Sequence, residues 1–200
     1  MYAIVCMNET NGIGYCGAIP WKSREDMKHF KKMTIGSGNN AIVMGHNTFK
    51  SIGCKPLPYR KNYVMTHHLP SKETHPYQNE SVIYVTSKDD VLLLPFLYEK
   101  VFIIGGQSIY KMFEEYYHTI YVTYINNRAL CDTFFTVDLV NKYTPIATET
   151  KEESNSVHLR FVEYENNCKK EICDVTTIDD NCVKREKGSF QKYRDTLGGN

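Results

Sequence analysis

Five short runs limit what this chain can fold into: Tyr2-Ala3-Ile4-Val5-Cys6-Met7, Ala41-Ile42-Val43-Met44, Asn62-Tyr63-Val64-Met65, Val82-Ile83-Tyr84-Val85 and Val101-Phe102-Ile103-Ile104. Each reads as a strand, and those at 2–7, 41–44 and 101–104 are apolar along their length instead of alternating, the mark of a strand buried on both faces. That condition is met where helices cover both sides of a parallel sheet. Helix signals fill the gaps. Ser23 can cap a helix, with Asp26 three residues on and Met27, Phe30 and Met33 recurring along one face. The breaker cluster Gly36-Ser37-Gly38-Asn39-Asn40 ends that helix. Gly45-His46-Asn47-Thr48 and Gly105-Gly106-Gln107-Ser108 each turn a strand into a helix, and the second helix carries Ile109, Tyr110 and Phe113. Ser87-Lys88-Asp89-Asp90 opens another helix, which Pro95 shortens. Pro56-Leu57-Pro58-Tyr59-Arg60 makes a rigid turn. The expectation is an α/β fold, a three-layer sandwich around a mostly parallel sheet. The Tyr-rich, alternating segments 119–126 and 157–164 add an antiparallel strand at its C-terminal end.

Bulk properties remove several function classes. The net charge is +1, with no run of Lys or Arg, so nothing calls for nucleic acid. The start enters a strand without a basic region, and no long apolar segment follows, so neither a signal peptide nor a membrane span is expected. Seven cysteines is an odd count, and none forms C-x-x-C, so reduced thiols in a cytoplasmic protein are expected, with no metal site. From about Asn167 the pattern dissolves into Lys, Glu, Asp and Asn. Domain 1–166 is therefore expected to precede a polar, poorly ordered tail, 167–200, with at most one weak strand at 172–176.

The chemistry concentrates beyond the strand ends, where open α/β sheets bind ligands. Asp26 is a lone carboxylate on an apolar helix face, costly unless something hydrogen-bonds it. The plainer reading is a capping acid. The two Gly-containing turns put helix N-termini beside each other as candidate phosphate sites. Each alone is an ordinary strand-to-helix turn, and neither fits G-x-G-x-x-G.

In this order, the motifs resemble the dihydrofolate reductase family over residues 2–165. They are Ile13-Gly14 with Ile19-Pro20-Trp21, Asp26 with Phe30, Val43-Met44-Gly45 with Thr48, Ser51-Ile52, and Pro56-Leu57-Pro58 with Arg60-Lys61-Asn62. Ile104-Gly105-Gly106 with Tyr110, Tyr121-Val122-Thr123, and Asp132-Thr133 with Phe135 complete the set. The resemblance implies NADPH-dependent reduction of 7,8-dihydrofolate to tetrahydrofolate by a monomer. It also raises fusion to, or association with, a thymidylate synthase, because the family is sometimes joined to one.

The family's roles fall on the matching positions. Asp26, aided by Thr123, grips the pyrimidine edge of the pterin and favours protonation of N5, with water admitted past loop 13–22 delivering the proton. Trp21 locks that loop closed. Ile4, Val5, Cys6, Met27, Phe30, Ile52, Leu57, Ile104 and Tyr110 surround the substrate, and Arg60 holds the carboxylate of its glutamate tail. Apolar walls should raise the Asp26 pKa. On the cofactor side stand Cys6, Ile13, Ala18, Ile19, Gly45, His46, Asn47, Thr48, Met65, Thr66 and His67. Ile104, Gly105, Gly106, Gln107, Ser108, Ile109 and Tyr110 continue that groove, with a cis peptide between the glycines.

Two departures bear on the cofactor. His46-Asn47 stands where most relatives have Arg or Lys after the glycine, and Thr66-His67-His68 replaces Ser-Arg or Ser-Ser. Histidine, titrating near ~6.5, supplies less fixed charge to a 2′-phosphate. Two rivals stay open: a reductase of another pyrimidine-like ring, as in riboflavin synthesis, and an inactive binding module. Arg60 argues against the first and the intact motif set against the second. Glu25 is the next candidate acid.

Overall fold

The computed structural model describes residues 1–69, 82–153 and 156–168. Residues Met1–Asn167 form one compact unit. The proposed strand at 172–176 lies outside the described residues.

Strand β1 (Tyr2–Met7) occupies the middle of an eight-stranded sheet. A small strand, β2 (Gly12–Gly14), precedes helix α1 (Arg24–Ile35), β3 (Asn40–Gly45) and α2 (His46–Ser51). Next come β4 (Lys61–Met65), β5 (Val82–Val85), α3 (Lys88–Leu92), β6 (Lys100–Ile103) and α4 (Gln107–Met112). The chain continues through β7 (Thr119–Ile125), β8 (Thr133–Phe134), α5 (Leu139–Lys142), β9 (Tyr143–Glu152) and β10 (His158–Asn166). The sheet order is β5-β4-β3-β6-β1-β7-β10-β9, parallel from β5 to β7 and antiparallel in its last two strands.

Alternation within β1 divides the core. Ala3, Val5 and Met7 enter one layer with Ala41, Val43, Ile103, Ile109 and Phe113 of the α3–α4 side. Ile4 enters the other with Ile42, Met44, Phe49 and Phe102, against which Phe30 and Met33 of α1 pack. These are the two flanking layers of the expected sandwich.

The local signals act as read. The Ser23 hydroxyl accepts from the Asp26 N–H at 3.0 Å, and Gly36, at φ 52°, ends α1. Ser87 caps α3, and Pro95 falls in the short 3₁₀ turn that follows it. Three elements differ from expectation. Strand β6 stops at Ile103, leaving Ile104 in the turn that follows. The C-terminal sheet end has two antiparallel strands, because β9 pairs with β10 along its whole length. Strand β9 buries only Tyr143 and carries Pro145, so it has no apolar period to betray it; backbone pairing at the sheet edge holds it. The two-stranded pair β2–β8 is likewise too short to show a pattern.

Candidate active site

Cys6 on β1 and Thr123 on β7 are register partners in adjacent parallel strands, so their side chains leave the same face of the sheet. The first turn of α1 lies over them. There the Asp26 carboxylate faces the Thr123 hydroxyl and the Cys6 thiol. Burial pushes the Asp26 pKa above the usual aspartate value, against the pull of those two neighbouring donors, and the charge of Glu153 pushes the same way as burial. Burial, then the neighbouring Asp26, pushes the Cys6 thiol far up, so it stays a neutral donor. Trp21 packs in a small cluster with Ile125, Leu159 and Phe161. Its indole N–H leans towards the Cys6 sulfur without reaching hydrogen-bond geometry, leaving a buried donor unpartnered among the described residues.

Loop 13–22 is pinned from outside. The Asp132 N–H donates to Gly14 O at 3.0 Å, and its Oδ2 accepts from the Cys16 N–H at 2.8 Å. That backbone donor, with the Thr133 hydroxyl, holds the Asp132 carboxyl below its ordinary range. Ala18 closes a turn on Tyr15 by reciprocal backbone bonds of 2.9 and 3.1 Å, and Ile19 is 61% exposed. Ile13 packs against the core layer that holds Val5.

The apolar wall assembles on the α1 side. Phe30, Ile52, Leu57 and Ile104 all pack against the cluster containing Ile4. Met27 stands at the rim, 57% exposed. Strand alternation sends the Val5 side chain into the opposite layer, so what it offers on the Asp26 side is backbone. Tyr110 is also in that opposite layer, its hydroxyl donating to Ile4 O at 2.7 Å. Arg60 is 8% exposed; its Nε donates to Pro58 O at 3.0 Å, and its Nη1 donates to Thr34 Oγ1. The guanidinium sits 5.8 Å from the Phe30 ring centroid. Among the described residues no carboxylate pairs with it, so its charge is held in place by neutral groups and is available to an anion. Thr34, whose hydroxyl also donates to Phe30 O at 2.7 Å, is a support the sequence reading missed.

Across the sheet end, the Gly45 N–H donates to Gly105 O at 2.8 Å and the Ile104 N–H to Val43 O at 2.9 Å. These bonds bring the starts of α2 and α4 together. The Gly105–Gly106 peptide is cis. A Cβ on Gly106 would lie 3.4 Å from Thr48 Oγ1, and one on Gly45 would lie 3.0 Å from Ile109 Cγ1. Bare backbone at two adjoining helix starts fits a pyrophosphate cradle. Ser108 and Asn47 are exposed beside it. The side chains of Met65 and Ile109 belong to the core, beneath the groove. Gln107 Oε1 accepts from the Phe134 N–H at 3.0 Å, tying α4 to β8. Thr66 follows β4, its N–H on Val85 O at 3.0 Å, and His67 is exposed beside it. His46, the first residue of α2, is partly buried.

A partly buried carboxylate on one side of a cleft, with a glycine-lined groove fit for a dinucleotide on the other, defines the nicotinamide-dependent reductases of small heterocycles. The comparisons narrow that class. Residues 1–166 match the dihydrofolate reductase family model. Dihydrofolate reductase type 9 of Escherichia coli is 34% identical over 160 residues, spanning 74% of this chain and 85% of that protein. A bifunctional dihydrofolate reductase-thymidylate synthase of Paramecium tetraurelia is 26% identical over 79% of this chain, but only 33% of its own length. A dihydrofolate reductase from Enterococcus faecalis, solved with NADP(H) and RAB-propyl, superposes with a TM-score of 0.72 at 30% identity, covering 84% of this chain and 96% of that one. The chain belongs to the dihydrofolate reductase family.

Proposed function

We infer that this enzyme reduces 7,8-dihydrofolate to 5,6,7,8-tetrahydrofolate with NADPH, supporting one-carbon metabolism and thymidylate synthesis. The observation that carries the reading is the Asp26 carboxylate, held by Thr123 and Cys6 at the mouth of an apolar wall. A carboxylate so placed takes the paired N–H groups of a 2-amino-pyrimidine edge, and its raised pKa makes it a better proton acceptor towards that ring. Ile4, Phe30, Ile52, Leu57 and Ile104 sandwich the flat ring, with Met27 at the rim. Arg60 takes the tail carboxylate in its fork.

The groove over Gly45, Thr48, Gly105 and Gly106 holds the dinucleotide, with His46, Asn47, Ala18, Ile19, Gln107 and Ser108 around it and Thr66 and His67 at the 2′-phosphate. The bound cofactor supplies the hydride. Trp21 and the loop pinned by Asp132 exclude bulk water from the cleft. Glu25 is a poor alternative acid, since its carboxylate pairs with Lys28 at 2.6 Å and faces Lys151 at 4.0 Å.

The reductase domain is residues 1–166, and it acts as a monomer; every residue named here comes from one compact unit. The 167–200 tail is read first as a polar extension; fusion to a thymidylate synthase, the pairing named in the Paramecium relative, is the alternative. Unpaired thiols at Cys6, Cys16, Cys54 and Cys131 suit the reducing cytoplasm. Among the described residues no helix is long and apolar enough to cross a membrane.

NADPH oxidation dependent on dihydrofolate is the test. Asp26→Asn keeps the shape and removes the acid, so kcat/KM should fall roughly 10²–10⁴-fold near neutral pH. Full activity in that variant would remove Asp26 from the chemistry. Turnover only with a pyrimidine lacking the glutamate tail would favour the rival reductase.

A further inference from the structure

Glu153 lies just past β9, in the hairpin that leads to β10, some 130 residues from the helix it touches. Its own backbone is tied within that hairpin: its N–H donates to Val157 O, and its carbonyl accepts from the Ser156 N–H, both at 2.9 Å. The side chain instead reaches across to α1. Oε1 accepts from the Ser23 hydroxyl at 2.6 Å and from the Glu25 N–H at 2.8 Å. The Ser23 oxygen in turn accepts from the Asp26 N–H. A chain of two hydrogen bonds thus runs from the hairpin to the backbone of the site acid. It satisfies helix-start donors that would otherwise face water and places a negative charge at the positive end of α1.

We propose that Glu153 is a positioning residue of the reductase site: it fixes the start of the helix that carries Asp26 and sets a permanent negative charge beside that carboxylate. The proposal rests on Asp26 being the site acid. The two carboxyl groups are driven apart. Ser23, then the Glu25 and Arg24 backbone, holds Glu153 below its usual value. Burial and the Glu153 charge raise Asp26. The Glu153 charge therefore opposes ionisation of Asp26, while the hydrogen bonds from Ser23 and Glu25 favour the charged form of Glu153 itself. The other groups facing this corner are Cys6 of β1 and Thr123 of β7, which pull the Asp26 pKa down, and Arg24, Glu25, Lys28 and His29 of α1. Glu149 and Lys151 of β9 complete the set. Of these, Glu153 is the charge that acts on Asp26.

Glu153→Gln separates the two roles, because an amide oxygen still accepts from Ser23 and the Glu25 N–H but carries no charge. The full chain, labelled with ¹³C at aspartate carboxyls, is titrated by NMR, the Asp26 signal being the one lost in Asp26→Asn. In Glu153→Gln the Asp26 midpoint should move down by about 0.5 unit, roughly threefold in its ionisation constant, with Tm lowered less than in Glu153→Ala. Glu153→Ala should lower the midpoint similarly, reduce Tm further and, unlike Glu153→Gln, raise the KM for dihydrofolate. A midpoint that stays or rises in Glu153→Gln overturns the charge role. A Glu153→Ala protein with wild-type Tm and KM overturns the anchoring role. Full turnover by Asp26→Asn would instead fault the assignment of the acid, whatever the midpoints show.

Discussion

The two ends of the cleft are built by opposite means. At the proposed substrate end, the groups offered to a ligand are side chains. Asp26 and Arg60 are charged groups drawn into apolar surroundings and faced by neutral groups from two strands, a turn and a helix. At the proposed cofactor end, the groups offered are backbone. Gly45, Gly105 and Gly106 bring two helix starts within hydrogen-bonding reach of one another, while His46, Asn47, Ser108 and His67 sit at or near the surface. A buried charge is expensive to move or replace, so the substrate end tolerates little change. A phosphate-binding turn needs its backbone path but not particular exposed side chains, so that rim can vary. The departures from the family pattern, His46-Asn47 and Thr66-His67, fall at the second end.

The comparison breaks most readily at Arg60. Replacing it with Ala removes charge-assisted bonds worth about 1.5–3 kcal/mol, so the KM for dihydrofolate should rise roughly 10–150-fold. A dihydropterin without the glutamate tail should show little of that change. If both substrates lose equally, Arg60 serves the fold through Thr34 and Pro58 and not the ligand. At the other end the strongest lever is Gly105, whose φ of 113° admits no side chain comfortably and whose Cβ would meet Tyr110 Cε2 at 3.1 Å. Gly105→Ala should cost about 1–3 kcal/mol, lowering Tm by several degrees and weakening NADPH more than dihydrofolate. Equal loss of both ligands would mean that the turn is structural only.

The same contrast explains what the residues disclosed in advance. Buried strands announced themselves because parallel pairing under two helix layers demands unbroken apolar runs, and the Ser23 and Ser87 caps did so because their hydroxyls have local partners. Asp26 stood out as a carboxylate on an apolar face. Glu153, Thr34 and Asp132 were opaque as supports, since their partners lie 26 to 130 residues away and nothing nearby marks them. Strand β9 was opaque for another reason: it is held by main-chain pairing at an exposed edge, where side chains are free to be polar. Val5 shows what such a run leaves unsaid. A run apolar on both faces conceals which of its residues looks into which layer.

The smallest effect is the sharpest test of the exposed rim. With histidine in place of fixed cations near the 2′-phosphate, the positive charge there depends on pH. Unperturbed imidazole is mostly neutral at about pH 8 and mostly charged at about pH 6. An exposed ion pair is worth about 0.5–1 kcal/mol, so the preference for NADPH over NADH, taken from kcat/KM, should grow roughly 2–5-fold across that span. His67→Ala should flatten the dependence while sparing the KM for dihydrofolate, because Thr66 keeps its own anchor through the hydroxyl that donates to His68 O at 2.9 Å. A large preference that ignores pH would place the phosphate on backbone alone and deny the histidines any part in choosing the cofactor. The response of NADH should stay flat throughout, since that cofactor lacks the charge to which imidazolium answers.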